Sequence, residues 1–153
     1  MKNILLLGAT GSIGKSVLSV ISQNKESLNL VGISFNKNVL RYQEILKEHS
    51  PDYVYIEDYE SFKSLCNKDK ERYLNGDVEL ERLINTADVD IIVCATSGFA
   101  GLKTAYIASK TGKKILLANK ESIVAGGDLI LPLAKENNSE IIPIDSEHNA
   151  IFQ

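Results

Sequence analysis

The strongest indication of the fold of this chain is the segment Ile4-Leu-Leu-Leu-Gly-Ala-Thr-Gly-Ser-Ile-Gly14. Its apolar start, Ile4–Leu7, predicts a buried strand, and Ile13–Gln23 has helical spacing. Three glycines with the spacing GxxGxxG therefore fill a strand-to-helix turn. There the first glycine permits the tight turn, the second lets the backbone approach a pyrophosphate, and the third allows close helix–strand contact. The anion would sit on the helix N-terminus. Alternatively, the glycines only close the turn.

The rest of the chain repeats the alternation of strand and helix. Further strands are predicted at Leu28–Phe35, Tyr53–Ile56, Ile91–Ala95, Lys114–Leu117 and Ile141–Ile144. Further helices are predicted at Val39–Glu48, Glu60–Leu65, Val78–Asn85, Phe99–Ser109 and Leu129–Glu136. The polar stretch 57–77 is predicted to be a solvated helix–loop excursion. The pattern predicts an α/β fold, a Rossmann-like, doubly wound, mostly parallel sheet with helices on both faces.

The composition is that of an ordinary globular domain. A net charge of −3 argues against nucleic acid or an anionic membrane as a partner, because both require a basic surface. The first apolar run is too short for a signal peptide and no spanning segment occurs, so a cytoplasmic location is predicted. Cys66 and Cys94 lack CxxC spacing and are predicted to be reduced. His49, which precedes Ser50-Pro51, is predicted to lie on the surface at a helix end.

The end of the second predicted strand indicates which dinucleotide would bind. An NAD-binding protein usually places Asp or Glu there, on the ribose 2′-hydroxyl. This chain has Asn36, Lys37 and Asn38 instead. Lys37 offers a cation and the asparagines offer amide donors, which suit a 2′-phosphate, so NADP is favoured over NAD. The alternative is that Lys37 is an ordinary exposed loop lysine.

Two more polar segments follow predicted strands: Ala118-Asn-Lys-Glu-Ser122 and Asp145-Ser-Glu-His148. Ligands of open α/β sheets bind at the carboxyl ends of the strands, so both segments are candidate site elements. Carboxylates two positions apart suit Mg²⁺ or Mn²⁺, with the missing ligands expected beyond Gln153. Taken alone, the first segment could instead be a solvated helix start.

Four motifs together resemble one family. GATGSIG, the Asn-Lys-Asn-Val segment, LLANKES and DSEHNAIFQ occur in this order in the 1-deoxy-D-xylulose 5-phosphate reductoisomerases. The resemblance implies an enzyme that rearranges this sugar phosphate and reduces it with NADPH to 2-C-methyl-D-erythritol 4-phosphate, in the methylerythritol phosphate route to isoprenoid precursors. It also implies a divalent metal, Mg²⁺ or Mn²⁺, with Co²⁺ as a further option.

Glycine spacing and resemblance together give a predicted site. The cofactor-binding residues are Gly8, Thr10, Gly11, Ser12, Ile13, Gly14, Asn36, Lys37, Asn38, Asn119 and Glu121. The resemblance implies that Asp145 and Glu147 bind metal, that Lys120, Ser146 and Glu147 bind substrate, and that Lys120 and Glu147 are catalytic. Lys120 would neutralise oxyanion charge. The family often has Gly at the position of Asn36, and the sequence leaves open whether Asn36 keeps a Gly-like turn, which Asn tolerates better than most residues.

The resemblance spans all of this chain but only the N-terminal part of the family. Residues 1–153 are therefore expected to form one NADPH-binding domain, without the catalytic and C-terminal helical domains, and to be inactive alone. The full-length protein is expected to be a homodimer. Two alternatives stay open: an NADP-dependent dehydrogenase domain of the semialdehyde or homoserine type, and a non-catalytic module that senses a dinucleotide.

Overall fold

The computed structural model describes residues 1–67 and 71–144, and within them it contains a single seven-stranded sheet with six helices. The strands are β1 Lys2–Leu7, β2 Leu28–Phe35, β3 Tyr53–Ile56, β4 Tyr73–Leu74, β5 Ile91–Cys94, β6 Lys114–Leu117 and β7 Glu140–Pro143. The helices are α1 Ser12–Gln23, α2 Val39–Ile45, α3 Tyr59–Cys66, α4 Asp77–Asn85, α5 Gly98–Ala108 and α6 Lys120–Glu136. None of these helices has the length and apolar character that a membrane span requires.

The sheet has the strand order β4-β3-β2-β1-β5-β6-β7, and each of its paired strands runs parallel to its neighbours. Strands β2, β3 and β4 follow one another on one side of β1, and strands β5, β6 and β7 follow one another on its other side. The order therefore reverses between β1 and β5, which is the topological switch point of a doubly wound sheet. The predicted fold class is confirmed.

Helices cover both faces of this sheet, and the side chains of β1 pack against helices on each face. Its alternating side chains point to opposite faces, as the pleat requires. Leu5 and Leu7 belong to one apolar cluster, which α4, α5 and α6 cover, whereas Ile4 and Leu6 belong to a second cluster under α1 and α2. The near-continuous apolar sequence of β1 is what a strand buried on both faces needs.

Three expectations from the sequence are wrong in detail. The polar stretch 57–77 is more than a helix and a loop, because Tyr73–Leu74 pairs with β3 and extends the sheet. Helix α6 begins at Lys120, well before the predicted Leu129. His49 is buried, with its Nε2 atom 3.1 Å from Ser22 Oγ.

Both cysteines are free, as predicted, and burial raises the pKa of Cys94 to about 12.

Close packing of α1 against the end of β1 depends on Gly14. A Cβ atom at this position would lie 2.5 Å from the carbonyl oxygens of Gly8 and Ala9, which no real side chain tolerates. The helix can approach the strand end only because residue 14 has no side chain. This is the close helix–strand contact that the glycine spacing predicts.

The substitution Gly14→Ala is expected to lower the free energy of unfolding by about 1–3 kcal/mol, because backbone atoms must move to admit the methyl group. Gly127→Ala is the matched control. It is also a buried helical glycine, but its Cβ would meet only side-chain atoms at 3.7 and 3.9 Å. There the better helix propensity of Ala should raise stability by up to about 1 kcal/mol. Urea unfolding measures both, and a Gly14→Ala protein as stable as the parent would contradict the packing argument.

Candidate functional site

The glycine loop between β1 and α1 is anchored on the end of β2. The Gly8 amide donates to the Ser34 hydroxyl at 2.9 Å and to the Ser34 carbonyl at 3.2 Å, and the Ala9 amide donates to the same carbonyl at 2.8 Å. Gly8 has a φ of 90°, and a Cβ there would lie 2.7 Å from backbone atoms of Ala95 and Thr96. The loop is thereby held between β2 and the chain that leaves β5.

The first turn of α1 is open toward the switch point. Its N-cap residue is Gly11, which has no side chain to accept a hydrogen bond from the first turn. The amides of Ser12, Ile13 and Gly14 have no intrahelical acceptors, because they lie in the first turn of the helix. A Cβ at Gly11 would meet only the Gly8 carbonyl oxygen, at 3.6 Å. The free amide donors, the positive end of the α1 dipole and the open space beside Gly11 together suit a bound anion.

Two clefts flank this helix N-terminus. The β2-side cleft, of about 250 Å³, is lined by Gly8, Thr10, Gly11, Ser34, Phe35, Asn36, Tyr55, Glu57, Leu80, Ala95, Thr96, Ser97, Ala100, Lys103 and Thr104. The β6-side cleft, of about 320 Å³, is lined by Gly11, Ser12, Ile13, Ala95, Thr96, Ser97, Ala118, Asn119, Lys120 and Glu121. Together they fall within the range of about 300–1,000 Å³ that is usual for small-molecule sites.

The two clefts meet at Gly11 and at the segment Ala95–Ser97, which line both. The Thr96 hydroxyl is buried there and has no hydrogen-bond partner among the described residues. A buried hydroxyl without a partner is costly, so a bound group or a water is expected to satisfy it. The arrangement suits one elongated ligand that crosses the helix N-terminus from one cleft to the other.

The three residues after β2 that are predicted to bind the cofactor, Asn36, Lys37 and Asn38, make different contacts. Asn36 lines the β2-side cleft, whereas the Asn38 side chain caps α2 by accepting the Arg41 amide at 3.0 Å. The Lys37 side chain is 75% exposed, with its ammonium 3.9 Å from a carboxylate oxygen of Asp58. Within residues 1–67 and 71–144, Asn138 alone among the non-glycine residues has a positive φ. Asn36 therefore does not have a left-handed backbone.

Asn119 joins the loops that follow β5 and β6. Its side-chain amide donates to the Thr96 carbonyl at 2.8 Å and to the Gly98 carbonyl at 3.4 Å, and its side-chain oxygen caps α6 by accepting the Ser122 amide at 3.2 Å. A Cβ at Gly101 would lie 1.9 Å from the Asn119 amide nitrogen, so α5 also depends on this contact. Asn119, which is predicted to bind the cofactor, therefore also acts as a structural clamp that holds the loops after β5 and β6 together.

The residues after Asn119 begin α6, as the alternative interpretation of this segment proposed. Lys120 and Glu121 line the β6-side cleft, and Glu121 accepts the Gly98 amide at 3.2 Å, at the start of α5. Ser122, however, is fully buried, and its hydroxyl has no partner among the described residues. The segment therefore combines a helix start with a wall of the cleft.

Asp145, Ser146 and Glu147 lie outside the described residues, so their metal and substrate roles remain predictions. Among the residues that are described, no group of three or more His, Cys, Asp or Glu side chains could hold a metal ion. Ser34, Tyr55 and Thr96 also line the β2-side cleft but are not predicted from the sequence. Ser34 and Tyr55 lie just before the carboxyl ends of β2 and β3, and Thr96 lies two residues past the end of β5, so their position at the carboxyl edge of the sheet is the signal that could have found them.

A glycine loop at the switch point, between two clefts that meet over a helix N-terminus, defines a Rossmann-type dinucleotide-binding fold. The family model described as 1-deoxy-D-xylulose 5-phosphate reductoisomerase matches residues 4–127. The chain belongs to this family.

Individual relatives agree with this assignment. A 1-deoxy-D-xylulose 5-phosphate reductoisomerase of Clostridium perfringens is 45% identical over all of this chain, which covers 41% of that protein. A DOX-P reductoisomerase crystallised with NADPH, fosmidomycin and magnesium superposes with a TM-score of 0.92 at 36% identity, over all of this chain and 38% of its own. The enzyme of Zymomonas mobilis in complex with NADPH gives 0.89 at 33% identity, over 99% of this chain and 41% of its own. The chain thus spans about two fifths of the curated relatives that it matches.

More distant structures share the fold alone. A homoserine dehydrogenase of Staphylococcus aureus superposes with a TM-score of 0.56 at 22% identity, over 93% of this chain and 32% of its own. The alternative of a homoserine-type dehydrogenase domain therefore accounts for the architecture, but the chain belongs to the reductoisomerase family.

The clamp role of Asn119 is tested by Asn119→Asp, which keeps the acceptor that caps α6 but replaces the amide donor with a carboxylate facing two carbonyl oxygens. A loss of about 2 kcal/mol in the free energy of unfolding is expected. Asn38→Asp is the matched control, because that side chain also caps a helix. It should change stability by less than about 0.5 kcal/mol. Equal effects in urea unfolding would show that Asn119 acts only as a cap.

Proposed function

We propose that this chain binds NADPH across its two clefts and is the cofactor-binding part of a 1-deoxy-D-xylulose 5-phosphate reductoisomerase. The observation that carries the proposal is the uncapped first turn of α1, which opens at the junction of the clefts. A dinucleotide has its two negative charges in the middle and a base or ring at each end. The pyrophosphate would lie on the helix N-terminus, with one end of the molecule in each cleft.

The adenosine end belongs in the β2-side cleft. This cleft combines an apolar floor that includes Leu80 and Ala100 with polar groups at the end of β2, which suits a flat base and a ribose. Lys37 follows Asn36, which lines this cleft, and would supply the cation for a 2′-phosphate. The segment after β2 carries no Asp or Glu that would accept a hydrogen bond from a 2′-hydroxyl. These features favour NADPH over NADH.

The nicotinamide end belongs in the β6-side cleft, beside Lys120 and Glu121. Residues of this cleft would hold the nicotinamide, whose chemistry is hydride transfer to a carbonyl group such as that of a sugar phosphate. The Thr96 hydroxyl would regain a hydrogen-bond partner from the ligand, and the Lys120 ammonium would offset negative charge on the substrate oxygen. Asn119 holds the walls of this cleft in place through its two loop contacts.

The complete reaction is proposed for a protein of the relatives' full length, of which this chain spans about two fifths. We propose the rearrangement and reduction of 1-deoxy-D-xylulose 5-phosphate, with Mg²⁺ or Mn²⁺ held in part by Asp145 and Glu147, and assembly as a homodimer in the cytoplasm. Carboxylate oxygens are the ligands that such hard cations prefer. Ser146 and Glu147 are proposed to contact substrate.

A non-catalytic dinucleotide sensor is the second candidate, because the glycine loop and the clefts alone would serve it. The two functions differ in their need for the terminal carboxylates. In the full-length protein, a reductoisomerase must consume NADPH only when sugar phosphate and divalent metal are both present. A sensor binds NADPH whether or not metal is added, and it converts neither NADPH nor the sugar phosphate.

Isothermal titration of the chain with NADPH and NADH tests the cofactor assignment. NADPH is expected to bind at least about tenfold more tightly, because only its 2′-phosphate can form a charge-assisted contact with Lys37. Lys37→Glu should remove this preference and leave NADH affinity nearly unchanged. Lys47→Glu, which changes the net charge equally at an exposed site two residues past the C-terminal end of α2, is the control and should keep the preference. Failure of the chain to bind either dinucleotide would contradict the proposal.

A further inference from the structure

The loops after β2 and β3 lie side by side at the edge of the β2-side cleft. Phe35 and Ile56 are paired at the ends of these strands, and the Glu57 amide donates to the Phe35 carbonyl at 2.9 Å. This pairing brings Lys37, two residues past one strand, to Asp58, two residues past the other. Their charged groups are 3.9 Å apart.

The carboxylate of Asp58 is fixed in place by the helix that it begins. It accepts the Ser61 amide at 2.9 Å and the Ser61 hydroxyl at 2.8 Å, as the N-cap of α3. Its side chain is 22% exposed, against 75% for Lys37. The hydrogen bonds from Ser61 chiefly, and Lys37 to a lesser degree, hold the pKa of this carboxyl below its ordinary value. A permanent negative charge therefore stands beside the loop that faces the adenosine end of the cleft.

The ion pair between Lys37 and Asp58 adds little to stability, because exposed pairs at this separation are weak. Its larger effect is on whatever anion Lys37 binds. A phosphate monoester carries a charge of about −1.5 to −2 at neutral pH, and a fixed carboxylate a few ångströms from its cation repels it. A ribose 2′-hydroxyl carries no charge and does not experience this repulsion.

We propose that Asp58 is a specificity-determining residue that limits how strongly this site prefers 2′-phosphorylated over unphosphorylated dinucleotides. The inference rests on the proposed function, in which Lys37 receives the 2′-phosphate. Asp58 both offsets the charge of Lys37 and repels the phosphate, so the site discriminates less than Lys37 alone would allow. Helix capping explains why a side chain of this kind stands here, but it does not require the charge, because Asn caps a helix as well as Asp does.

The test is Asp58→Asn, which removes the charge and keeps the cap. The chain and its variant are titrated with NADPH and NADH, and with 2′,5′-ADP and 5′-AMP, which differ in the 2′-phosphate and lack the nicotinamide end. Asp58→Asn is expected to tighten NADPH and 2′,5′-ADP by about three- to fivefold and to change NADH and 5′-AMP by less than about twofold. The gain should shrink when salt is raised from about 50 to about 500 mM, because exposed charges are screened.

The matched control is Glu60→Gln on the same helix. It removes an equal charge from a residue whose partner is Lys63, 2.9 Å away, and not Lys37. All four affinities should stay within about twofold of the parent. Unchanged or reduced selectivity in Asp58→Asn would overturn the inference, and a reduction would show that Asp58 positions Lys37 for the phosphate. If the parent chain binds NADPH no better than NADH, the 2′-phosphate assignment itself fails and the inference fails with it.

Discussion

The start of α1 packs closely against the end of β1, and the position of the glycine loop and of both clefts follows from this contact. It exists because Gly14 has no side chain and because Gly8 takes a backbone conformation that other residues avoid. Ser34 then fixes the loop to β2 by accepting three hydrogen bonds from the amides of Gly8 and Ala9. The helix N-terminus is thereby aimed at the switch point of the sheet, and the two clefts open on either side of it.

The sequence predicted the parts of the fold that obey simple periodicity. Buried parallel strands are short apolar runs, and six of the seven strands among the described residues are predicted that way. The two-residue β4 was missed because a short edge strand needs little apolar sequence, and the stretch around it is rich in charges. The start of α6 was misplaced because Gly126 and Gly127 weigh against a helix, whereas the Asn119 cap and packing against α5 favour one. Burial of His49 depends on its contact with Ser22, which a linear sequence does not reveal.

The candidate site was predictable where chemistry depends on local spacing and less so where it depends on contacts between loops. The glycine loop and the Lys37 segment could be assigned from their position after a strand. The double role of Asn119 could not, because its partners Thr96 and Gly98 lie more than twenty residues away. The same holds for Asp58, whose charge matters only because β3 pairs with β2. Both residues are helix caps that also contact a neighbouring loop, so local sequence signals explain only half of what they do.

The proposed binding mode places one dinucleotide across both clefts, with its pyrophosphate on the first turn of α1. Amide ¹H–¹⁵N NMR of the chain, recorded as NADPH is added, locates the bound molecule residue by residue. We expect the largest shifts at Gly11–Gly14, at Ser34–Asn36 and at Thr96. Ser22 and His49, which line a separate cleft between α1 and the end of α2, should not shift. Shifts confined to one cleft, or centred on Ser22 and His49, would contradict this binding mode.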